Sequence, residues 1–357
     1  MYGARCAGFN ARGYNPGMRR VPAATVLLLG IGLLSRPDAG APRYSEPVQK
    51  MRGVCWEGAG PIEAERLDPL RELGADWISQ TPFGWMRSID SPEIHFGSSR
   101  VLWGESDEGL ARTAAWARER GIHTLLKPHL WVHHAWPGDI AMRSEEDWAS
   151  WFAQYERFIS HYARLAERHG FEALAVGTEL GGTTRREREW RGIIDRVRAI
   201  YHGRVTYCAN WHEEPERIAF WNALDFIGVQ AYYPLAEGAA PTSDAIRRAW
   251  EPIATRLATL AAHTARPIVF TEVGYRSQDG ALARPWEWDT EGTVNLELQR
   301  AAYAAMLDAL WDRPWFGGTF VWKWHPVPPA DASTSRDFSP QGKPALEAIR
   351  AAYGADR

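Results

Sequence analysis

Rhythm constrains this chain more than any other feature. Eight short apolar runs, at 51–56, 77–81, 124–130, 173–180, 205–211, 226–233, 267–275 and 317–324, are separated by stretches with helical spacing. The clearest helix places Trp148, Trp151, Phe152, Tyr155, Phe158, Ile159, Tyr162, Leu165 and Ala166 on one stripe, with Ser144 and Asp147 at its start. Further helices are expected over 62–73, 108–120, 184–201 with Thr184 and Glu187 as a capping box, 243–263, 291–312 and 344–353. Near-continuous apolar strands alternating with helices predict a parallel sheet buried on both faces, and eight such units predict an α/β fold, a single (β/α)8 TIM barrel. A doubly wound open sheet is the alternative. It calls for a glycine-rich phosphate turn after the first strand, and Glu57-Gly58-Ala59-Gly60-Pro61 lacks the third glycine.

No internal repeat and no Pro/Ser/Gly linker divides the chain after residue 50, so 50–355 is expected to be one catalytic domain. Residues 1–41 look like an export signal: Met18-Arg19-Arg20 supplies charge, 21–34 is a mostly apolar run of 14, and 37–41 is small and turn-prone. The expected location is secreted or periplasmic, with membrane attachment only if that segment stays uncleaved. Cleavage would remove Cys6 and leave Cys55 and Cys208, two strand-borne residues expected to be buried free thiols. Lys+Arg 41 against Asp+Glu 44 leaves a net charge of −3 without a basic stripe, which argues against nucleic acid as a partner. Nineteen Trp, against 6 Met, suit a partner with apolar faces and polar edges.

In a barrel of this kind the site is built where the strands end. Those ends read Trp56-Glu57, Gln80-Thr81, Lys127-Pro128-His129-Leu130-Trp131, Thr178-Glu179, Asn210-Trp211-His212, Gln230-Ala231-Tyr232-Tyr233, Thr271-Glu272 and Trp322-Lys323-Trp324-His325. Glu179 and Glu272 directly close the fourth and seventh runs. Period-two alternation sets Glu179 on one face with Gly177 and Ala175, and Glu272 with Phe270 and Ile268, both pointing into a common pocket from facing strands. A glycosidic bond needs such a pair, one carboxyl to protonate the departing oxygen and one to attack or to activate water.

The sequence resembles the large clan of retaining (β/α)8 glycoside hydrolases, with an acid ending strand four, a nucleophile ending strand seven and Trp ending strand eight. Gly177-Thr178-Glu179-Leu180, Lys127-Pro128-His129, Tyr232-Tyr233-Pro234, Thr271-Glu272-Val273-Gly274-Tyr275 and Trp322-Lys323-Trp324, in that arrangement over 52–353, are similar to glycoside hydrolase family 113. Thr178 stands where most of the clan carries Asn. The resemblance implies Glu179 as acid/base, Glu272 as nucleophile and endo-β-1,4-mannanase activity.

Around them, Trp322 is expected to floor the site by stacking on a hexose, with Trp324 on the same face and Trp56 and Trp131 also lining the rim. Tyr232 could hydrogen-bond Glu272, and Tyr233 competes for that role. Asn210, Trp211 and His212 lie beside Glu179, and Lys127 and His129 could bind sugar hydroxyls. Glu179 is expected to hold its proton through burial and its neighbour's charge, and Glu57 is the reserve nucleophile. No metal and no cofactor is expected, since His129, His133 and His134 lack Cys or HExxH company. A monomer acting on oligo- or polysaccharide is expected. The alternatives are a non-catalytic carbohydrate-binding barrel and a transglycosylase.

Overall fold

A computed structural model describes residues 49–97, 101–288, 292–328 and 330–354; the expectations for 1–41 lie outside them. Eight parallel strands close a barrel in the order β1 (Met51–Trp56), β10 (Phe316–Trp324), β9 (Ile268–Val273), β8 (Phe226–Gln230), β7 (Arg204–Asn210), β6 (Ala173–Thr178), β4 (His123–Leu126) and β2 (Trp77–Gln80). The chain is a single (β/α)8 barrel. Its helices among the described residues are α1 (Asp68–Leu73), α2 (Asp107–Glu119), α3 (Glu145–His169), α4 (Glu187–Arg198), the one-turn α5 (Glu214–Arg217), α6 (Ser243–Thr264), α7 (Leu296–Leu310) and α8 (Ala345–Gly354).

Helix α3 follows from its sequence. Ser144 Oγ accepts from the Asp147 N–H at its start, and Gly170 ends it in the left-handed conformation at φ 66°. Its stripe buries Trp151, Tyr155, Phe158 and Ile159 against the barrel, each contributing roughly 1.5–3 kcal/mol. The expected capping box at α4 does not form: Arg186 is the N-cap and Thr184 Oγ1 donates instead to the Gly181 carbonyl at 2.9 Å. Helix α7 starts at Leu296, later than the periodicity indicates, because Asn295 caps it.

Two cores result. Met51, Cys55, Trp77, Leu125, Ala173, Phe226, Val269 and Phe320 plug the barrel, while a larger cluster fills the space between strands and helices. Gly53 belongs to the plug: a Cβ there would come within 2.5 Å of the Phe320 ring. Cys55 and Cys208 are buried free thiols.

The third apolar run is broken. Pro128, which has no N–H to donate, follows β4, and His129–Val132 forms β5 outside the barrel. Beyond Pro82 the second run does the same, and Phe83–Met86 forms β3, a strand that the sequence reading leaves unassigned. β3 and β5 pair with each other as a two-stranded parallel sheet above the barrel mouth. Among the described residues no helix is long and apolar enough to cross a membrane.

Candidate active site

Glu272 reaches the pocket through a fault in its strand. β8 and β9 run in register as Val229↔Phe270 and then Gln230↔Glu272, so one extra residue enters β9 at Thr271. The irregularity reverses the alternation. Ile268 and Phe270, expected beside Glu272, instead join the helix-facing core, with Phe270 6.1 Å from the Trp250 ring of α6. Glu272 turns to the mouth, where Lys127 Nζ pairs with Oε1 and Tyr232 Oη donates to Oε2 at 2.8 Å. Burial pushes the Lys127 ammonium down, yet the carboxylate beside it makes the net direction upward, so the cation persists. Burial together with the Glu272 charge carries the Tyr232 phenol well above its ordinary value, leaving it a donor.

Glu179 is turned inward by a different device. Between β6 and β7 the register slips between Ala175 and Thr178. Gly177 therefore faces the helices, where a Cβ would stand 2.7 Å from the Tyr207 ring and 2.8 Å from that of Trp190. It does not share an inward face with Glu179 as the alternation implies. Glu179 itself adopts φ 51°, a left-handed backbone uncommon outside glycine, while its N–H donates to the Cys208 carbonyl at 2.9 Å. Asn210 Nδ2 donates to Oε1 at 2.7 Å, and His129 Nε2 stands 3.7 Å from Oε2. That distance is too long for a hydrogen bond.

Behind this pair lies a carboxyl group that the rim inventory omits. Glu214 accepts from the Asn210 N–H at 2.6 Å and from Tyr207 Oη at 2.5 Å, and Tyr207 Oη in turn accepts from the Leu180 N–H at 2.8 Å. One buried group thus ties the backbone just after Glu179 to the backbone of the residue that orients it. Burial pushes the Glu214 carboxyl up to about 8 against the hydrogen bonds that lower it. Because Glu214 lies past its strand in a one-turn helix, no strand-end pattern marks it.

The net direction at Glu179 differs from expectation. Burial raises its proton affinity, but His129 first, then Asn210 and Lys127, pull it below the ordinary carboxylate value. His129 Nδ1 lies 2.9 Å from the Leu130 carbonyl.

The remaining rim residues divide. Trp322 is half-buried with its ring 5.8 Å from Lys127 Nζ, beside the ion pair, and Trp288, unforeseen, meets its edge at 6.1 Å. Trp324 and Trp56 are buried in the helix-facing core instead of sharing the Trp322 face. Tyr233 packs there against Trp250 and Phe270, which leaves Tyr232 as the partner of Glu272. Trp211 stacks on Trp286 at 5.4 Å. Lys127 is fully buried on Glu272 and so is not placed to meet sugar hydroxyls as expected, and His129 and Trp131 stand on β5. Glu57 is held by Lys323 and His325. Strands β6 and β9 do not face each other squarely: two strands separate them one way round and four the other. Among the described residues no group of three His, Cys, Asp or Glu is gathered for a metal ion. The arrangement sets one carboxyl group, clamped by an ammonium and a phenol, beside a second that an amide orients and a histidine approaches.

Residues 55–343 match the model of Glycoside Hydrolase Family 113. The chain is similar to the GH113 β-mannanase AaManA from Alicyclobacillus acidocaldarius, solved in complex with ManMIm, with 31% identity over 87% of this chain and 99% of that one and a TM-score of 0.78. It is also similar to a GH113 β-1,4-mannanase solved as a complex, at 27% identity over 86% and 99% of the two chains with a TM-score of 0.77. A β-glucuronidase from Ruminococcus gnavus, 12% identical over 86% of this chain and 49% of that one with a TM-score of 0.55, shares the barrel fold. No curated protein sequence matches.

Proposed function

Because the chain belongs to glycoside hydrolase family 113 and is therefore a glycosidase, we propose that it cleaves β-1,4-mannan internally by a retaining double displacement. The observation that carries this reading is the unequal environment of the two carboxyl groups. Glu272, paired with Lys127 and accepting from Tyr232, is aimed and fixed in place, as a nucleophile must be before it attacks the anomeric carbon. Glu179 is oriented by Asn210 and has His129 nearby, an environment unlike that of Glu272, as suits a group that protonates the departing oxygen and then draws a proton from water. The half-buried Trp322 ring beside the ion pair offers a hydrophobic floor for the sugar being cleaved. The mannan preference is supported by the β-mannanase activity of the two relatives more than a quarter identical to this chain.

Export belongs to the same proposal. A polysaccharide too large to cross a membrane has to be met outside it, and residues 1–41 have the pattern of an export signal. The test is to incubate the mature chain with mannan, glucomannan and glucan and follow the anomeric proton of the first products. New reducing ends with retained configuration from mannan are expected. Inverted ends would overturn the double displacement, and cleavage of glucan in preference to mannan would overturn the substrate.

A further inference from the structure

The small sheet above the barrel carries a row of rings that the reaction at Glu179 and Glu272 does not use. β3 and β5 pair as Phe83↔His129, Gly84↔Leu130, Trp85↔Trp131 and Met86↔Val132. Alternation is strict here. Gly84, Met86, Leu130 and Val132 are buried, and a Cβ on Gly84 would lie 2.7 Å from the Phe158 ring of α3, so that face is packed on the barrel. The opposite face shows Phe83, Trp85, His129 and Trp131. Their centroids lie 5.8 Å apart for Trp85 and Trp131, 6.2 Å for Phe83 and Trp85, and 5.9 Å for Phe83 and His129. Trp85 is 39% exposed, an unusual burden for a ring of that size unless something covers it in use. Its backbone is pinned to His95 by hydrogen bonds of 2.8 and 2.9 Å, so the row is rigid before any ligand arrives.

We propose that Phe83, Trp85 and Trp131 form a subsite for hexose units on the leaving-group side of the bond that is cut. This rests on the glycosidase reading above. His129 belongs both to the row and to the acid/base, at 3.7 Å from Glu179, so the row continues the active site outward. The group that protonates the departing oxygen must lie beside the departing half of the substrate, which places the row on that half. Among the described residues no ring pairing links the row to Trp322, which lies beside Glu272. Two positions along a strand span roughly 6–7 Å, about one sugar ring, and the tilted faces of Trp85 and Trp131 present apolar surface to the hydrogens of a pyranose.

Wild type, Trp85→Ala, Trp131→Ala and Trp85→Phe are compared in three assays. With manno-oligosaccharides, kcat/KM is expected to fall about tenfold for each alanine variant and less for Trp85→Phe, chiefly through KM. With a dinitrophenyl β-mannobioside, which has no sugar beyond the cut bond, the loss of kcat/KM in each variant should be several-fold smaller than with manno-oligosaccharides. Added mannobiose should speed wild-type turnover of that substrate by accepting the glycosyl unit, and Trp85→Ala should lose this effect. Equal losses on both substrates, or no loss on either, would overturn the subsite, as would an intact mannobiose effect in Trp85→Ala. Wild-type activity on the aryl glycoside tests the reaction itself before any variant is made. Should it fail, fluorescence titration of Glu272→Gln with and without Trp85→Ala, using mannan, glucan and glucomannan oligosaccharides, still reads the row. Affinity weakened about tenfold supports it and equal affinities across the panel reject it.

Discussion

Lys127 and Glu272 form an ion pair across the barrel mouth, the lysine following β4 and the glutamate on β9, the strand diametrically opposite. The pair closes the floor of the pocket, and it puts a fixed positive charge against the carboxylate proposed as the nucleophile. Tyr232 completes the clamp from the adjacent strand end.

Removing the cation should therefore damage both folding and chemistry. Lys127 is fully buried, and losing one partner of a buried pair typically costs about 3–5 kcal/mol. Lys127→Met, of similar volume, is expected to lower the thermal midpoint and to slow glycosylation by a dinitrophenyl mannoside, with burst kinetics as the measure. A variant that lost stability but glycosylated at the wild-type rate would make the lysine structural only.

The two carboxyl groups should fail differently. Glu272→Ala is expected to be inactive on all substrates, with azide restoring turnover as a glycosyl azide of inverted configuration. Glu179→Ala should lose most activity on mannan, since general acid catalysis contributes about 10²–10⁴-fold, yet still be glycosylated by an aryl glycoside whose phenol departs unaided. Equal slowing of both substrates in Glu179→Ala would remove it from the acid role.

His129 is expected to set the basic side of the pH profile if Glu179 is the acid, as proposed. It is the first of the groups that pull the Glu179 proton affinity down. Without that charge Glu179 releases its proton at higher pH, so the basic limb of kcat/KM in His129→Gln should move to higher pH than in wild type. An unmoved limb, or one displaced to lower pH, would show that this charge does not govern the acid.

Glu214 makes a separate prediction about stability. Its native carboxyl is pushed to about 8 from an ordinary 4.5, so across that window the folded chain holds a proton that the unfolded chain has released. The stability it contributes is complete below about 4.5 and is lost as the pH rises through about 8. Glu214→Gln cannot ionise and keeps both an acceptor and a donor for Asn210 and Tyr207. Its thermal midpoint should fall less between pH 5 and pH 8 than that of wild type, measured by calorimetry. An identical fall in both would mean that the carboxyl is ionised in the fold.

The barrel was legible because its information is local and repeated. Apolar runs of strand length, the Ser144 cap and the stripe on α3 each act within a few residues, and eight units leave few other architectures. The acidic pair was legible for a similar reason: an acid ending an apolar strand stands out wherever it points. Its orientation was not legible. Period-two counting joined Glu272 to Phe270 and Glu179 to Gly177, and both neighbours face the helices.

The chain by itself therefore determined the order of elements, the choice of a barrel and the two carboxyl groups at its rim, since hydrophobic period and residue chemistry are written residue by residue. Which side chains enter the pocket was decided only by tertiary structure. The register slips at Thr271 and between Ala175 and Thr178, the left-handed turn at Glu179 and the breaks at Pro82 and Pro128 each depend on a neighbouring strand or on closure of the sheet. So do the Lys127 pair from the opposite wall and the Glu214 brace behind Asn210, contacts between residues 145 and 4 positions apart that no strand-end pattern connects. A shift of one residue in pairing reverses every face beyond it, and that shift is fixed by packing across the barrel, which a linear pattern does not contain.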